Sequence, residues 1–307
     1  MIVRWGLDAL ADVVPGEYLL IASERWGERP ASARWTEVPS ERIDDAAALV
    51  RDCVVALGGG SAIDLGKAVS ARAGVPLVSV PTTYAGAEWT TYYGIRSPDR
   101  KMAGGGGGAH PYAVVYDPEL TLDLPRETTV GTSMNALAHC AEALYVQGHN
   151  EEADAHALAG ARLIGEWLPR VVDSPRDLEA RTELLRGACH GGQALGGAML
   201  ALGHAMAQAV GGRYGLPHGT LNGIVLPAAL RFNEQFAPDA VARFREAVGR
   251  DVSELAALGG PTRLSELGVP ESDLAELAAA AAGRQGNLAN PQPATPDEIE
   301  ALLRSVY

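Results

Sequence analysis

Four short apolar runs, EYLLIA (17–22), CVVAL (53–57), LVSV (77–80) and AVVY (113–116), are rich in Val, Ile and Leu and end in polar residues or glycine. Runs of this length read as strands buried on both faces of a parallel sheet. Segments with helical spacing at 43–51 and 62–73 alternate with them, which predicts an α/β layer. Beyond Pro125 the pattern changes: Ala- and Leu-rich segments at 133–147, 151–171, 177–210 and 238–249 repeat at the helical period, and β-branched runs become scarce. The predicted architecture is an α/β domain over 1–125 and an all-helical domain over 126–307, divided at the turn-rich DPELTLDLP (117–125). Five alanines at 278–282 read as a helix with a close-packed face, and no solenoid-length repeat is present.

Two loops leave the carboxyl ends of predicted strands, where open α/β sheets bind ligands. CVVAL runs directly into Gly58, Gly59, Gly60 and Ser61, and then into a helix. Glycines let the backbone approach a phosphate closely, and the helix that comes next offers free N–H groups and the positive end of its dipole. The pattern is neither GxGxxG nor a P-loop, and by itself it serves equally as a tight turn. PTTYAGAEWT (81–90) is a second wall, whose threonines are placed to bond ribose, phosphate or nicotinamide. Glycines 104–108 follow Arg100 and Lys101 and read as a flexible hairpin tip, with Lys101 adding positive charge near a ligand.

Three of the seven histidines fall in one constellation with an asparagine. Asn135 and His139 lie four apart in TSMNALAHCAEALY, so both emerge from one helix face. His204 opens HAMAQAVGGRYGLPHG, and His218 comes fourteen residues later, past a Gly pair and a Pro that can turn the chain back. Converging imidazoles suit metal ligation or acid–base work. The plainer reading of any one of them is a helix cap or a partner for a buried carbonyl.

Composition narrows the partners. The chain has 307 residues, 47% of them hydrophobic and 21% charged, which is ordinary for a globular protein with ample core. A net charge of −13 argues against nucleic acid or an anionic membrane as the main partner. Cys53, Cys140 and Cys189 are an odd number without CxxC, as expected for reduced thiols. The first residues lack a basic, then apolar, signal pattern and no apolar run reaches a membrane span, so a soluble cytoplasmic protein is expected.

Six ordered motifs, ALGGGSAIDLGKA, VPTTYAGAEWT, VVYDPELTLDLP, MNALAHCAEALY, GGRYGLPHG and NPQP, together resemble the iron-containing alcohol dehydrogenase superfamily, and within it most the maleylacetate reductase branch. The resemblance implies a Rossmann-like α/β N-terminal domain and a C-terminal helical domain of the dehydroquinate synthase-like kind, with the active site in the cleft between them. It also implies a homodimer acting on a small molecule, and reduction of a carbonyl or a conjugated C=C with NADH or NADPH. Carried over by position, Gly58, Gly59, Gly60 and Ser61 would hold the pyrophosphate, and Thr82, Thr83 and Tyr84 would line the nucleotide side. In metal-dependent members the Fe or Zn ligands correspond to Asn135, His139, His204 and His218; this branch commonly works without metal.

Departures from the pattern shape the expectation. Asn135 stands where metal-dependent relatives have Asp, which removes an anionic ligand, so a divalent metal is not expected. Gln208 stands where relatives carry a further histidine and cannot exchange protons near neutral pH. Acid–base work then falls to His139, His204, His218, Tyr84 or water. Gly203, His204 and Ala205 replace a His-His-Lys cluster, leaving Lys101 and Arg213, beside Asn135 and Gln208, as substrate contacts, and a substrate other than maleylacetate is expected. About thirty residues separate the first strand from CVVAL, so a strand and helix of the nucleotide domain look trimmed. Glu24, just past that first strand, is placed to accept from an adenosine ribose. The resulting reading is a reductase; a repurposed lyase, cyclase or isomerase and a non-catalytic binding subunit are the alternatives.

Overall fold

The computed structural model describes residues 1–27, 29–98, 102–109 and 111–307; Lys101 lies outside them. The chain divides into two compact units, Met1–Thr83 with Ala87–Thr121, and Tyr84–Gly86 with Leu122–Tyr307.

The first unit is a six-stranded, wholly parallel sheet. Its strands are β1 (Ile2–Trp5), β2 (Tyr18–Ile21), β3 (Ala33–Trp35), β4 (Cys53–Gly58), β5 (Leu77–Pro81) and β8 (Pro111–Tyr116), in the order β1-β8-β5-β4-β2-β3. Successive side chains of a strand point to opposite faces, so one apolar run serves two cores. Val55 and Leu57 pack on one face with Leu20, Val78, Val80, Ala113 and Val115. Val54 and Ala56 pack on the other with Leu19, Ile21 and Leu77, under Ile63, Leu65 and Val69 of α3 (Gly60–Ala73). Two short helices, α1 (Leu10–Val13) and α2 (Ile43–Ala47), complete this layer. Lys67 of α3 is fully buried and gives all three protons away, to Asp64 (3.2 Å), Thr90 (2.8 Å) and the Tyr92 carbonyl (2.9 Å), stitching the 88–92 loop to the helix.

The second unit is helical throughout: α4 (Arg126–Ala143), α5 (Glu151–Asp173), α6 (Leu178–Gly197), α7 (Leu202–Tyr214), α8 (His218–Asn233), α9 (Pro238–Val248), α10 (Val252–Ala257), α11 (Leu274–Ala282), α12 (Gln285–Leu288) and α13 (Pro296–Ser305). Asn150, Asp177 and Asp251 cap α5, α6 and α10 with side-chain oxygens, and Thr295 with Glu298 forms a capping box on α13. Glycines set the helix spacing. A Cβ at Gly219 would stand 2.4 Å from the Gly131 carbonyl oxygen, so α4 and α8 touch backbone to backbone there. A Cβ at Gly160 would meet Cys140 Sγ at 2.7 Å, which brings α5 against α4.

Between β2 and β4 stand β3 and α2, three and five residues long. Three features differ from the sequence expectation. The periodic stretch 177–210 breaks into α6 and α7, bent by 100°. Part of the glycine run is ordered: β7 (Met102–Gly106) pairs antiparallel with β6 (Tyr93–Arg96). The reason is close approach, since a Cβ at Gly106 would lie 2.7 Å from the Tyr93 hydroxyl and one at Gly105 2.9 Å from its carbonyl oxygen. β1 is a strand without an apolar run, because Arg4 and Trp5 are exposed at the sheet edge. Among the described residues no single helix is long and apolar enough to cross a membrane.

All three cysteines are free and buried. Burial pushes the Cys53 thiol up to about 11 and the Cys140 thiol to about 12, from an ordinary 9.0. Native protein at pH 8 will therefore release at most one equivalent of thionitrobenzoate from an aromatic disulfide reagent, and three in denaturant. Above pH 9 the unfolded thiols ionise while the folded ones keep their protons, so unfolding free energy falls as pH rises. Urea midpoints at pH 8, 9 and 10 will show that decline, and Cys140→Ala will flatten it.

Candidate functional site

In the first unit, β4 and β5 end side by side: Gly58 is in register with Pro81, and the Thr82 N–H donates to the Gly58 carbonyl at 3.0 Å. Gly58 has φ +155, and a Cβ on it would meet Ala62 at 2.7 Å; one on Gly59 would meet Thr83 Cγ2 at 3.0 Å. At Gly60 there is open space instead. The N-cap of α3, Gly59, brings no capping side chain, so the N–H groups at the start of the helix are left to other partners. This cradle, walled at the sides and open above the first turn, fits a diphosphate. Glu24 lies exposed in the turn after β2, which pairs with β4 in parallel, and so sits at the same carboxyl edge.

In the second unit, the backbone contact between Gly131 and Gly219 fixes the separation of α4 and α8 one turn further along each helix. Asn135 and His139 project from α4, and His218 and Asn222 from α8, two pairs with the same spacing of four. Asn222 Nδ2 donates to Asn135 Oδ1 at 2.6 Å and lies 3.1 Å from His218 Nε2. Asn135 Nδ2 donates to the Ala85 carbonyl at 2.8 Å and faces His139 Nε2 at 3.4 Å. These partners assign the amide orientation, because the reversed one would set oxygen against oxygen and NH2 against NH2.

His204, at the start of α7, stacks on His139 with ring centroids 4.8 Å apart, and His218 lies 5.5 Å beyond. Its anchor is Glu142, three residues past His139 and fully buried. One carboxylate accepts three N–H groups: the His204 ring at Nδ1 (2.7 Å), the His204 backbone (2.9 Å) and the Ala201 backbone (2.6 Å). Gly203 is required by this arrangement, as a Cβ there would stand 2.8 Å from Glu142 Oε1. With Nδ1–H given to Glu142, the His204 Nε2 is the side that faces reactants.

Three buried polar atoms of this cluster have no hydrogen-bond partner: His139 Nδ1, His204 Nε2 and Asn222 Oδ1. Unsatisfied polar atoms in a native interior are few, and three together mark where a polar ligand goes. Burial first, and then the neighbouring His204 and His218, hold the His139 imidazole well below its usual value, so this ring is neutral at physiological pH. Gly86 borders it: a Cβ there would be 3.4 Å from His139 Nδ1, and its φ of +75 favours glycine.

Asn135 is a poor metal ligand as it stands, since it turns its oxygen to Asn222 and presents NH2 to His139, whereas the Glu142 carboxylate on the far nitrogen of His204 is a support that metal-bound and metal-free imidazoles share. Among the described residues, no three His, Cys, Asp or Glu side chains converge as a metal-holding group.

The remaining expected residues lie elsewhere or act otherwise. Tyr84 folds with the helical unit, fully buried, and its hydroxyl accepts from Arg181 at 3.1 Å. Arg213 pairs with Asp273 (3.0 Å) and Glu276 (2.5 Å). Gln208 is half-buried, one turn after His204. Sequence reading missed Glu142 and Asn222. Their signals were a carboxylate in an apolar helix face beside His139, and a His-Asn spacing that mirrors the Asn-His one.

Residues 129–307 match the Fe-containing alcohol dehydrogenase family, C-terminal, and residues 34–118 match the iron-containing alcohol dehydrogenase family. Maleylacetate reductase of Burkholderia cepacia is 40% identical over 277 residues, covering 88% of this chain and 78% of that protein. The crystal structure of maleylacetate reductase from Agrobacterium tumefaciens superposes with a TM-score of 0.88 at 30% identity, covering 100% of this chain and 95% of that one. That from Rhizobium sp. strain MTP-10005 gives 0.89 at 31%, with the same coverage.

Proposed function

The chain belongs to the iron-containing alcohol dehydrogenase family, and from that premise we propose that it is an NAD(P)H-dependent reductase of a C=C conjugated to a carbonyl in an organic acid, working without a metal. It is an oxidoreductase resembling maleylacetate reductase; the non-redox and non-catalytic alternatives find no support among these relatives. The observation that carries the metal-free chemistry is the buried imidazole cluster with His204 fixed by Glu142 and two ring nitrogens unclaimed.

A nicotinamide dinucleotide, when bound, would supply the hydride that adds to the β-carbon of the substrate. Gly58, Gly59, Gly60 and Ser61 would hold its diphosphate, Thr82 and Thr83 its nucleotide side, and Glu24 the adenosine ribose, which favours NADH. As the β-carbon gains hydride, the electron pair moves onto the substrate carbonyl oxygen. His139, neutral and carrying its proton on Nδ1, donates a hydrogen bond to that oxygen. His204 delivers the proton that completes the reduction from Nε2, while the Glu142 carboxylate compensates the charge on the ring. Burial of the cluster excludes water from the charge that develops.

The test is a fluorescence titration of purified protein with NADH and NADPH, and then nicotinamide oxidation with maleylacetate, related enoates and simple aldehydes. NADH binding and enoate-dependent oxidation are expected, unchanged by a chelator or by added Zn or Fe. Failure of both cofactors to bind, or a rate abolished by the chelator and restored by metal, would overturn the proposal. A homodimer in the cytoplasm belongs to the same proposal, supported by three free, buried thiols, and light scattering of the purified protein checks the mass.

A further inference from the structure

Apart from His139, His204 and His218, two further histidines face each other across neighbouring helices. His156 of α5 and His190 of α6 are both half-buried, with Nδ1 against Nδ1 at 2.8 Å and ring centroids 5.1 Å apart.

Packing on either side of the pair explains why they meet. One turn past His156, a Cβ on Gly160 would stand 3.0 Å from the Gly187 carbonyl oxygen and 3.1 Å from the Gly191 N, so α5 and α6 touch backbone to backbone at the turn that carries His190. Towards the other end, the Asn150 side-chain amide donates to the Gly197 carbonyl at 2.7 Å. Held on both sides, the helices bring the two imidazoles together without help from a ligand, and a pair ordered in advance loses little freedom when it binds one.

Two Nδ1 atoms this close share one proton between them, because two N–H groups would set donor against donor. One inner lone pair is therefore already present. Burial first, and then His156 and Arg162, hold the His190 imidazole below its usual value, which keeps that ring neutral at physiological pH. In the tautomer with both protons on Nε2, two lone pairs face inward together.

The separation selects the ion. With metal–nitrogen bonds of about 2.0 Å, two imidazoles at a right angle stand about 2.8 Å apart, and at the tetrahedral angle about 3.3 Å. The observed 2.8 Å is the right-angle value, which suits copper(II) or nickel(II) in tetragonal surroundings and not tetrahedral zinc. Among the described residues no third His, Cys, Asp or Glu side chain joins the pair, so water fills the other positions.

We propose that His156 and His190 form a two-nitrogen chelate for a tetragonal late first-row dication, copper(II) above all, which staples α5 to α6. The site shares no residue with the reductase site, and the two readings stand or fall separately.

The whole protein is titrated by calorimetry with copper(II), nickel(II) and zinc(II), with glycine as the competing chelator. One equivalent of copper(II) is expected to bind, roughly 10- to 100-fold tighter than zinc(II), and its electron paramagnetic resonance spectrum to show coupling to two equatorial nitrogens. His156→Gln and His190→Gln keep a hydrogen-bonding side chain in a half-exposed place; each is expected to melt near the parent and to bind copper about 10-fold more weakly or worse. Copper is expected to raise the melting temperature of the parent, since it binds the folded chain, and to leave both variants unmoved. His204→Gln, made in the buried cluster, is expected to bind copper as the parent does. Copper that fails to bind the parent overturns the proposal and leaves the pair a plain hydrogen bond between helices. Copper bound as tightly by His156→Gln and His190→Gln as by the parent, or lost in His204→Gln instead, overturns it too and places the ion elsewhere.

Discussion

Glu142→Gln will lower kcat by roughly 100- to 1,000-fold while leaving nicotinamide binding intact. The carboxylate accepts three N–H groups at 2.6–2.9 Å, and an amide offers one oxygen and an NH2 in their place. At least one buried N–H then faces another donor, which costs about 1–3 kcal/mol and reorients the His204 ring. Glu142→Asp keeps the charge but withdraws it, and should recover part of the melting temperature without the rate. Stopped-flow single turnovers with NADH, alongside calorimetric melting of each variant, separate the two effects. A Glu142→Gln enzyme as fast as its parent would remove Glu142 from the chemistry.

Gly219→Ala will unfold the helical unit more easily than any surface change, by about 2–4 kcal/mol. The new methyl would sit 2.4 Å from the Gly131 oxygen and 2.5 Å from its carbonyl carbon, both rigid backbone, so α4 and α8 must separate. Overpacking of helices does not stay local here, because Asn135 lies one turn past Gly131 on α4 and His218 is next to Gly219 on α8. A shift on the order of 1 Å between them breaks the Asn135–Asn222 bond and should reduce kcat about 100-fold in the protein that remains folded. Urea titration gives the first number and activity below the transition the second. Gly212→Ala, on the same unit but open to solvent apart from the tip of Arg284, is the control expected to change stability by less than about 1 kcal/mol.

Legibility in the sequence tracked the physics of each element. β2, β4, β5 and β8 were visible because strands covered on both faces are apolar throughout; β1 and β3 were not, because an edge strand mixes Arg and Trp and three residues carry no period. The break between α6 and α7 was hidden, since small residues continue the helical spacing across 198–201 and its partners lie far off in sequence: Asn150 on the Gly197 carbonyl that ends α6, and Glu142 and Asn290 on the backbone that starts α7. The imidazoles stood out as polar groups in an apolar setting. Glu142 did not, because an isolated acid on a helix usually faces water. The ion pairs of Arg213 were hidden for the opposite reason: its two acidic partners lie about sixty residues downstream, beyond the reach of local spacing.

Tyr84, Ala85 and Gly86 fold with the helical unit although the residues on either side belong to the sheet. Ala85 holds Asn135 by its carbonyl, Gly86 borders His139, and Tyr84 accepts a hydrogen bond from Arg181. A fragment expressed from residue 122 onward would therefore carry every histidine of the cluster yet lack the tripeptide that orients it. During synthesis the ribosome delivers these three residues well before the helices that receive them, so the site cannot mature until α8 has emerged and joined a segment made long before.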